Sequence, residues 1–536
     1  MAGLLLAASF PNINVAGLAW VAPALMLLAA LGKPGRQAFR IGYVAGLAHY
    51  LASLYWLLLI PSTGFPILGW AALSAFLALW PATWVWLCWK LFPAQITEAG
   101  PATLVENWGE QFLAVPWARR VIWAISGAAL WVALEMTVSR IFGGFPWNLL
   151  GSSQYRLVPL IQIASVTGIY GVAFVVVWTS LSLFSAGMVI IRQPVKRSAW
   201  VGEMILPMLA VSGLYASGYW KLLRAHENGP ELTVALVQPS IPQSLIWDAK
   251  QDEHRFKQLL QLSEQAALGN PDLMIWPEAA LPKMLAYDEP TQTATTQLAR
   301  NHNLWMIVGS DDAEQRRNAR TPKDVDYFNS SFLISPDGRL VNRYLKRNLV
   351  IFGEYIPFLD WLPFIKYLTP IDGVFTPGKA VVPFQLKDLN AKISVLICFE
   401  DVFPHLVREY VSDDTDFLVN ITNDGWFGEG AAQWQHAAGA IFRAVENGVP
   451  LVRCSNNGLT CWIDSRGRLR EYFQSGARGI YGPGFMLAKI PVLAPGEKRA
   501  PTFYRRHGDV FGWGCAGFVA LQFARIWIRR HQRAGD

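Results

Sequence analysis

The chain has 536 residues, of which 52% are hydrophobic and only 16% charged, with 24 tryptophans and a formal charge of +7. A soluble globular domain carries about a quarter charged residues, so a wholly soluble protein is excluded. No basic stripe with interleaved aromatics is present, so nucleic acid is excluded as the partner that the positive charge serves.

From the N-terminus, apolar runs at roughly 14–32, 40–60, 68–92, 119–141, 161–191 and 199–221, and again at 508–528, are each near or above the length that crosses a bilayer. Gly3 to Phe10 is apolar but short, so the total is seven spans or eight. No basic residue precedes the first apolar run, so no cleavable signal peptide is expected. Lys33, Arg36 and Arg40 fall in one link, Lys90, Arg119 and Arg120 flank another, and Arg192, Lys196 and Arg197 occupy a third. Arg525, Arg529, Arg530 and Arg533 close the chain. The alternate links hold only Arg156. Basic links stay in the cytoplasm, which places the large polar segment after Gly229-Pro230 on the outside. Ionisable residues inside the spans are few, with His49, Glu135 and Glu203 the visible ones, which reads as an anchor or substrate platform more than a transport pathway. The expected organisation is therefore 1–228 as six or seven spans, 229–500 as an outer domain, and 501–536 as a last span with a basic tail.

Within the outer domain, a strand at Leu232–Gln238 is followed by a helix near 249–268, strands near 272–276, 304–309, 327–334 and 339–345, and a helical segment near 291–302. After a strand at Ile393–Ile397 come a strand at Phe417–Asn420, a helix near 433–447 and a strand at Leu451–Cys454. This alternation predicts an α/β layered domain, with Asp312 on a surface loop. Three apolar strands each deliver one titratable residue at their C-terminal end: Glu278 after Leu273-Met-Ile-Trp-Pro, Lys346 after Arg339-Leu-Val-Asn-Arg-Tyr-Leu, and Cys398 after Ile393-Ser-Val-Leu-Ile. That edge is where open α/β sheets bind ligands. Cys398 precedes an amphipathic segment, Phe403 to Tyr410, and amides at a helix start favour thiolate. Each residue alone reads equally well as an ordinary core or surface group. Together, carboxylate, ammonium and thiol supply what acyl transfer through a thioester needs.

Glu278, Lys346 and Cys398, in that order, resemble the catalytic triad of the nitrilase (carbon–nitrogen hydrolase) superfamily. Trp276-Pro-Glu278, Tyr344-Leu-Lys346, Phe352-Gly-Glu354-Tyr-Ile-Pro357, Cys398-Phe-Glu400, Asn423-Asp-Gly-Trp-Phe-Gly428 and Arg443-Ala-Val-Glu-Asn447, taken with the apolar runs, resemble its apolipoprotein N-acyltransferase branch. The resemblance implies a polytopic α-helical membrane domain plus a periplasmic α/β domain of nitrilase-like αββα sandwich form. It implies Glu278 as general base, Lys346 as electrophilic stabiliser and Cys398 as nucleophile, with the Phe399 amide at the oxyanion and Glu354 and Glu400 in support. It also implies a phospholipid acyl donor, phosphatidylethanolamine in particular, a diacylglyceryl apolipoprotein acceptor, and a bacterial inner membrane location, with no cofactor or metal and a monomeric enzyme. Trp247 matches a substrate-facing position. Phe399, Ile351 and Gly425 depart from commoner family residues without touching the triad. The same triad in an anchored amidase would pass the acyl group to water, and a scaffold or transporter would leave it idle.

Tyr355, Phe358, Trp361, Leu362, Phe364, Ile365, Tyr367 and Leu368 recur at three- and four-residue intervals, broken by Pro357 and Pro363. They are expected as an aromatic lid at the lipid interface, with Trp426 and Phe427 as the opposing arm; the alternative is that they fill the domain core. Of the 5 cysteines, Cys454 and Cys461 are either two buried strand thiols or a hairpin bridge.

Overall fold

The computed structural model describes residues 1–61, 65–92, 111–192, 200–224, 229–246, 248–316, 321, 324–357, 359, 361 and 374–535. The chain divides into two compact units. One comprises Met1–Leu57, Ile67–Arg224 and His507–Asp536, the other Leu58–Pro66 and Ala225–Arg506.

The first unit is helical. Among the described residues, 5 helices are long and apolar enough to cross a membrane: Pro66–Lys90, Trp117–Val138, Ile169–Ile191, Val201–Leu223 and Val510–Ile528. The other two expected runs differ. The 14–32 run is a shorter apolar helix, Ala16–Ala30. The 40–60 run lies within a helix Gly35–Ser53 and a 3-10 turn Tyr55–Leu59. Gly3–Phe10 contributes only the short helix Ala2–Ala8. The buried acids of this unit have partners: Glu203 pairs with Arg120, and Glu135 accepts from the Trp131 indole at 2.9 Å and the Leu150 amide at 2.6 Å. An intramembrane carboxylate without such donors is costly.

The second unit is built on two six-stranded mixed sheets. The first runs β12-β1-β2-β3-β4-β5, with β1 Glu231–Gln238, β2 Leu273–Ile275, β3 Trp305–Gln315, β4 Val325–Ile334, β5 Leu340–Leu345 and β12 Gly484–Pro491. The second runs β11-β10-β9-β8-β7-β6, with β6 Phe384–Leu386, β7 Ala391–Ile397, β8 Phe417–Thr422, β9 Leu451–Ser455, β10 Cys461–Ile463 and β11 Leu469–Tyr472. In each sheet the central three strands are parallel and the flanking ones antiparallel. Parallel strands covered on both faces read as continuous apolar runs, as Leu273–Ile275 and Phe417–Val419 do. The sheets pack face to face, β1 against β9 and β4 against β7. Helix Asp252–Ala267 covers the outer face of the first sheet, where Ser263 accepts the indole N–H of the buried Trp276 at 2.9 Å. Helix Ala432–Asn447 lies against β9 and the turn after Cys398. This is the layered sandwich that the resemblance implied.

One smaller expectation fails, and an open alternative closes in favour of two buried strand thiols at Cys454 and Cys461. Asp312 is fully buried in β3 and ion-paired to Arg343, because the strand runs on to Gln315 where a loop was expected. A bridge between Cys454 and Cys461 is ruled out by register: Arg453, not Cys454, stands opposite Cys461, so successive side chains send the thiols to opposite faces.

Candidate active site

All three strand ends converge. β2 ends at Ile275 and the chain turns through Trp276-Pro277 to Glu278, with Ala279 at φ 49. Gly309 of β3 lies directly beneath this turn. A Cβ there would meet the Pro277 oxygen at 2.2 Å, so only glycine admits so close an approach. β5 delivers Lys346 immediately after Leu345, and β7 delivers Cys398 immediately after Ile397. Cys398 has φ 52 and opens the 3-10 turn Cys398–Val402. A left-handed non-glycine residue costs on the order of 1–3 kcal/mol, and here that strain swings the thiol out of the strand. The segment expected to be an amphipathic helix is only a run of short turns, with Pro404–Val407 its one α-helical piece. No helix long enough to lower the thiol's proton affinity follows Cys398.

Lys346 is 1% exposed. Its Nζ lies 2.9 Å from Glu354 Oε1 and 3.2 Å from Glu278 Oε1. Asn329, near the middle of β4, donates Nδ2 to both carboxylates, at 2.7 Å to Glu278 and 2.8 Å to Glu354. The remaining oxygens take backbone amides: Glu278 Oε2 from Asn423 at 3.0 Å and Glu354 Oε2 from Val350 at 2.8 Å. Neither carboxylate can rotate without breaking a charge-assisted hydrogen bond.

The electrostatics follow from this crowding. Burial works against the Lys346 ammonium, but Glu278 and Glu354 hold its proton affinity well above the ordinary lysine range. Burial pushes the Cys398 thiol well above its ordinary range, Glu278 adds to the push, and Lys346 opposes it. The resting group is therefore a thiol beside a carboxylate, and the expected thiolate bias from helix amides does not hold. Asp311 of β3 stands opposite Asn329 across the β3–β4 pair. Burial, together with Glu278 and Glu354, pushes its carboxyl up to about 7.

Glu400 is fully buried but makes no hydrogen bond to the lysine. Its Oε1 accepts from Tyr344 at 2.7 Å and from the amides of Arg347 and Asn348 at 2.8 and 3.1 Å, and its Oε2 from the Ile397 amide at 2.8 Å. It thus ties the chain after Lys346 to the chain before Cys398. Burial raises its proton affinity, which those donors oppose. Phe399 packs edge-on against Phe403 at 5.0 Å. Asn420 Nδ2 holds the Cys398 carbonyl at 2.9 Å.

Of the proposed substrate or lid residues, Trp247 and Phe358 lie outside the described residues, as do Leu362, Phe364, Ile365, Tyr367 and Leu368. Tyr355 follows Glu354 and bridges to Ile351. Trp361 is 85% exposed. Trp426 and Phe427 are half-buried in the 3-10 turn Asp424–Phe427.

Several site residues escaped the sequence reading. Asn329 had a usable signal, since Asn329-Ser-Ser interrupts an otherwise apolar buried strand. Asn423 heads the Asn423-Asp-Gly-Trp-Phe-Gly428 motif, which marked it without giving its role, and Asp311 had no signal beyond proximity in space. A second ion cluster was also missed. His436 of helix Ala432–Asn447 sits between two aspartates, with Nδ1 2.8 Å from Asp424 Oδ1 and Nε2 2.8 Å from Asp401 Oδ1. Arg453 of β9 pairs with Asp401 and reaches Asp424 at 3.4 Å. All four are essentially unexposed. Burial opposes the His436 charge, yet the two aspartates outweigh burial and Arg453 and bring its pKa up to about 9.

The carbon–nitrogen hydrolase family model matches residues 233–479, and that of the apolipoprotein N-acyltransferase N-terminal domain matches 2–182. An apolipoprotein N-acyltransferase of Geobacter metallireducens is 37% identical over 541 residues, covering 99% of this chain and 95% of its own. Those of Rickettsia prowazekii and Brucella melitensis are 30% and 32% identical, covering 88% and 83% of this chain and 86% and 79% of their own. A solved amidase from Nesterenkonia sp. is 16% identical with a TM-score of 0.35, covering 52% of this chain and 94% of that one.

Proposed function

The chain belongs to the apolipoprotein N-acyltransferase family, and from that premise we propose that it N-acylates the S-diacylglyceryl cysteine at the N-terminus of apolipoproteins, through a thioester on Cys398. The observation that carries the reading is the closed set around Lys346: one ammonium held by Glu278 and Glu354, both pinned by Asn329, with the Cys398 thiol within reach of their field.

In the first half-reaction Glu278 takes the thiol proton as Sγ attacks the ester carbonyl of a membrane phospholipid. The oxyanion forms against the Lys346 ammonium and the Phe399 amide. Collapse breaks the ester C–O bond, and Glu278 returns the proton to the departing lysophospholipid. In the second, the acceptor's α-amino group attacks the thioester, its proton passes to Glu278, and Sγ leaves as a thiolate that is reprotonated. No cofactor enters either step. Glu354 acts by fixing Lys346, and Glu400 by fixing the chain on either side. The donor is phosphatidylethanolamine and the enzyme works as a monomer. Both lipid substrates lie in one leaflet, so anchoring the thiol there replaces a three-dimensional search.

Incubation with phosphatidylethanolamine vesicles should add one acyl mass to the intact protein, mapped to Cys398 and absent in Cys398→Ala. A wild-type protein that stays unmodified while it N-acylates a lipopeptide would overturn the thioester. The alternation of basic links supports a periplasmic second unit in the inner membrane. Leu268, 79% exposed beside helix Asp252–Ala267, suits a labelling test. Leu268→Cys should react with an impermeant maleimide in intact spheroplasts, and reaction only after lysis would reverse the orientation. Trp361 is exposed, and with Tyr355, Phe358, Trp426 and Phe427 it is assigned, from the sequence pattern, to a lipid-facing lid. Trp247 is assigned to substrate contact from its place in the sequence alone.

A further inference from the structure

Thr422 is the last residue of β8 and is fully buried. Its Oγ1 donates to Asp424 Oδ1 at 3.2 Å. Ile421, just before Thr422, pairs with Ile397 in the parallel β7–β8 ladder, so Thr422 and Cys398 leave adjacent strand ends side by side, and the hydroxyl lowers the thiol's proton affinity. Two residues earlier on β8, and so on the same face, Asn420 holds the Cys398 carbonyl at 2.9 Å. β8 therefore holds the strained cysteine by its backbone and sets a buried hydroxyl beside it. Behind Thr422, Asp424 is fixed from its other sides by His436 Nδ1 at 2.8 Å and by Arg453 at 3.4 Å. Both cations also engage Asp401, three residues after the cysteine.

We propose that Thr422 is a positioning residue for Cys398: its hydroxyl, anchored by the Asp424–His436–Asp401–Arg453 cluster, aims the sulfur at Glu278 and Lys346 and turns to donate to it when the thiolate forms. This rests on Cys398 being the nucleophile. The argument is one of hydrogen counting. A hydroxyl has one hydrogen and two lone pairs. While sulfur carries its proton, the Thr422 hydrogen goes to Asp424 and the S–H is left to face Glu278. Once Glu278 has taken that proton, sulfur can only accept, so the hydroxyl must rotate toward it. Asp424 can release the hydroxyl because its two oxygens keep the His436 and Arg453 donors. With two aspartates against an imidazolium and a guanidinium, the cluster is formally neutral and adds no net charge beside the thiolate.

The bland alternative is that Thr422 merely fills the core and satisfies Asp424. Full-length Thr422→Val and Thr422→Ser, in detergent micelles, separate the two. Three quantities are read: the pH profile of Cys398 alkylation by iodoacetamide, mapped by peptide mass; the rate of acyl adduct formation from phosphatidylethanolamine; and the thermal midpoint. Hydrogen bonds to charged groups translate to roughly 10- to 100-fold in rate. Thr422→Val should slow adduct formation by that factor and move the alkylation profile to higher pH, and Thr422→Ser should restore both. An unmoved profile in Thr422→Val, or a serine variant as impaired as the valine one, would overturn the proposal. If the valine variant does not fold, Thr422→Ala removes the same hydroxyl without steric demand and is read identically. A wild-type protein that forms no adduct, yet shows the threonine-dependent alkylation shift, would defeat the thioester mechanism while leaving the positioning of the sulfur intact.

Discussion

Two buried ion clusters lie within one sandwich, and they are built on opposite principles. Around His436, two carboxylates meet two cations, and the sum is zero. Around Lys346, Glu278 and Glu354 share one ammonium, and Asp311 adds a third carboxyl to their field. Burying a charge is tolerable only when it is paired and hydrogen-bonded. The balanced cluster meets that condition in a single protonation state, with His436 kept cationic up to about 9. The unbalanced cluster cannot: burial first, and the surplus negative charge on top of it, raise the proton affinity of Asp311 and of the Cys398 thiol. A site whose carboxylates outnumber its cations is suited to accept a proton, whereas one that neutralises itself is suited to hold geometry. Chemistry and scaffold are thus distinguished by charge count, at equal burial.

The largest test removes the cation of each cluster in turn. Lys346→Met should abolish acyl transfer, by at least on the order of 10⁴-fold, and should destabilise by roughly 3–5 kcal/mol because two carboxylates lose their partner. Arg453→Met should cost comparable stability, but the protein that remains folded should still form adduct at a measurable rate. Adduct formation per folded molecule and thermal midpoints, taken together, decide this. Equal collapse of activity in both variants would mean that the clusters do not divide the labour.

Next in size is Asn329→Asp. The native amide gives one hydrogen to each glutamate, and an ionised aspartate gives none while adding a like charge. Loss of a preorganised donor pair should lower adduct formation by about 10²- to 10³-fold. Alkylation of Cys398 should also move to higher pH. If activity falls without that shift, Asn329 acts by packing alone.

How much of this was legible in the sequence follows the same division. The three strand ends were readable because an apolar β-branched run ending in a lone Glu, Lys or Cys breaks its own pattern. The parallel strands and both long helices over the sheets came from hydrophobic period. Nearest-in-sequence reasoning could not find Asp311, the His436 cluster or the role of Asn423, since their meaning lies in contacts between strands, a helix and a turn tens of residues apart. Glu400 was recognised as a supporting group, but its partners proved to be backbone amides and Tyr344, which no side-chain pattern encodes. The expected helix after Cys398 dissolved into short turns because Pro404 and the left-handed cysteine cut the segment into pieces too short to propagate.

A smaller effect sharpens the idea of surplus charge. Burial and the neighbouring Glu278 and Glu354 raise Asp311 to about 7 in the folded state, above the ordinary carboxyl value near 4. Between those limits the folded state binds the proton more tightly than the unfolded one. The sign follows directly: this group's contribution is fully present below about pH 4 and is lost as pH rises toward 7. Asp311→Asn, which cannot ionise, should flatten that fall and gain about 1–2 kcal/mol at pH 8 relative to wild type. Thermal midpoints of both proteins from pH 5 to 8 give the answer, and parallel curves would refute it.

The smallest expected effect lies farthest from either cluster. Trp361 is 85% exposed, so its ring makes little of the domain's core and its loss should change stability by no more than about 0.5 kcal/mol. Indoles prefer the headgroup region of a bilayer. A tryptophan exposed seven residues after Glu354 is therefore better explained by a lipid surface than by water. On the proposed lid role, the anchoring helices already hold the protein in the membrane, so this ring would assist only the local approach of donor lipid. Trp361→Ala should lower adduct formation from phosphatidylethanolamine vesicles by about 3- to 10-fold, the worth of roughly 0.7–1.4 kcal/mol. The rate with a short-chain soluble acyl ester should be unchanged, because that donor needs no interface. Equal loss on both donors with a lowered thermal midpoint would return the ring to the core, and no loss on either would remove it from the lipid path.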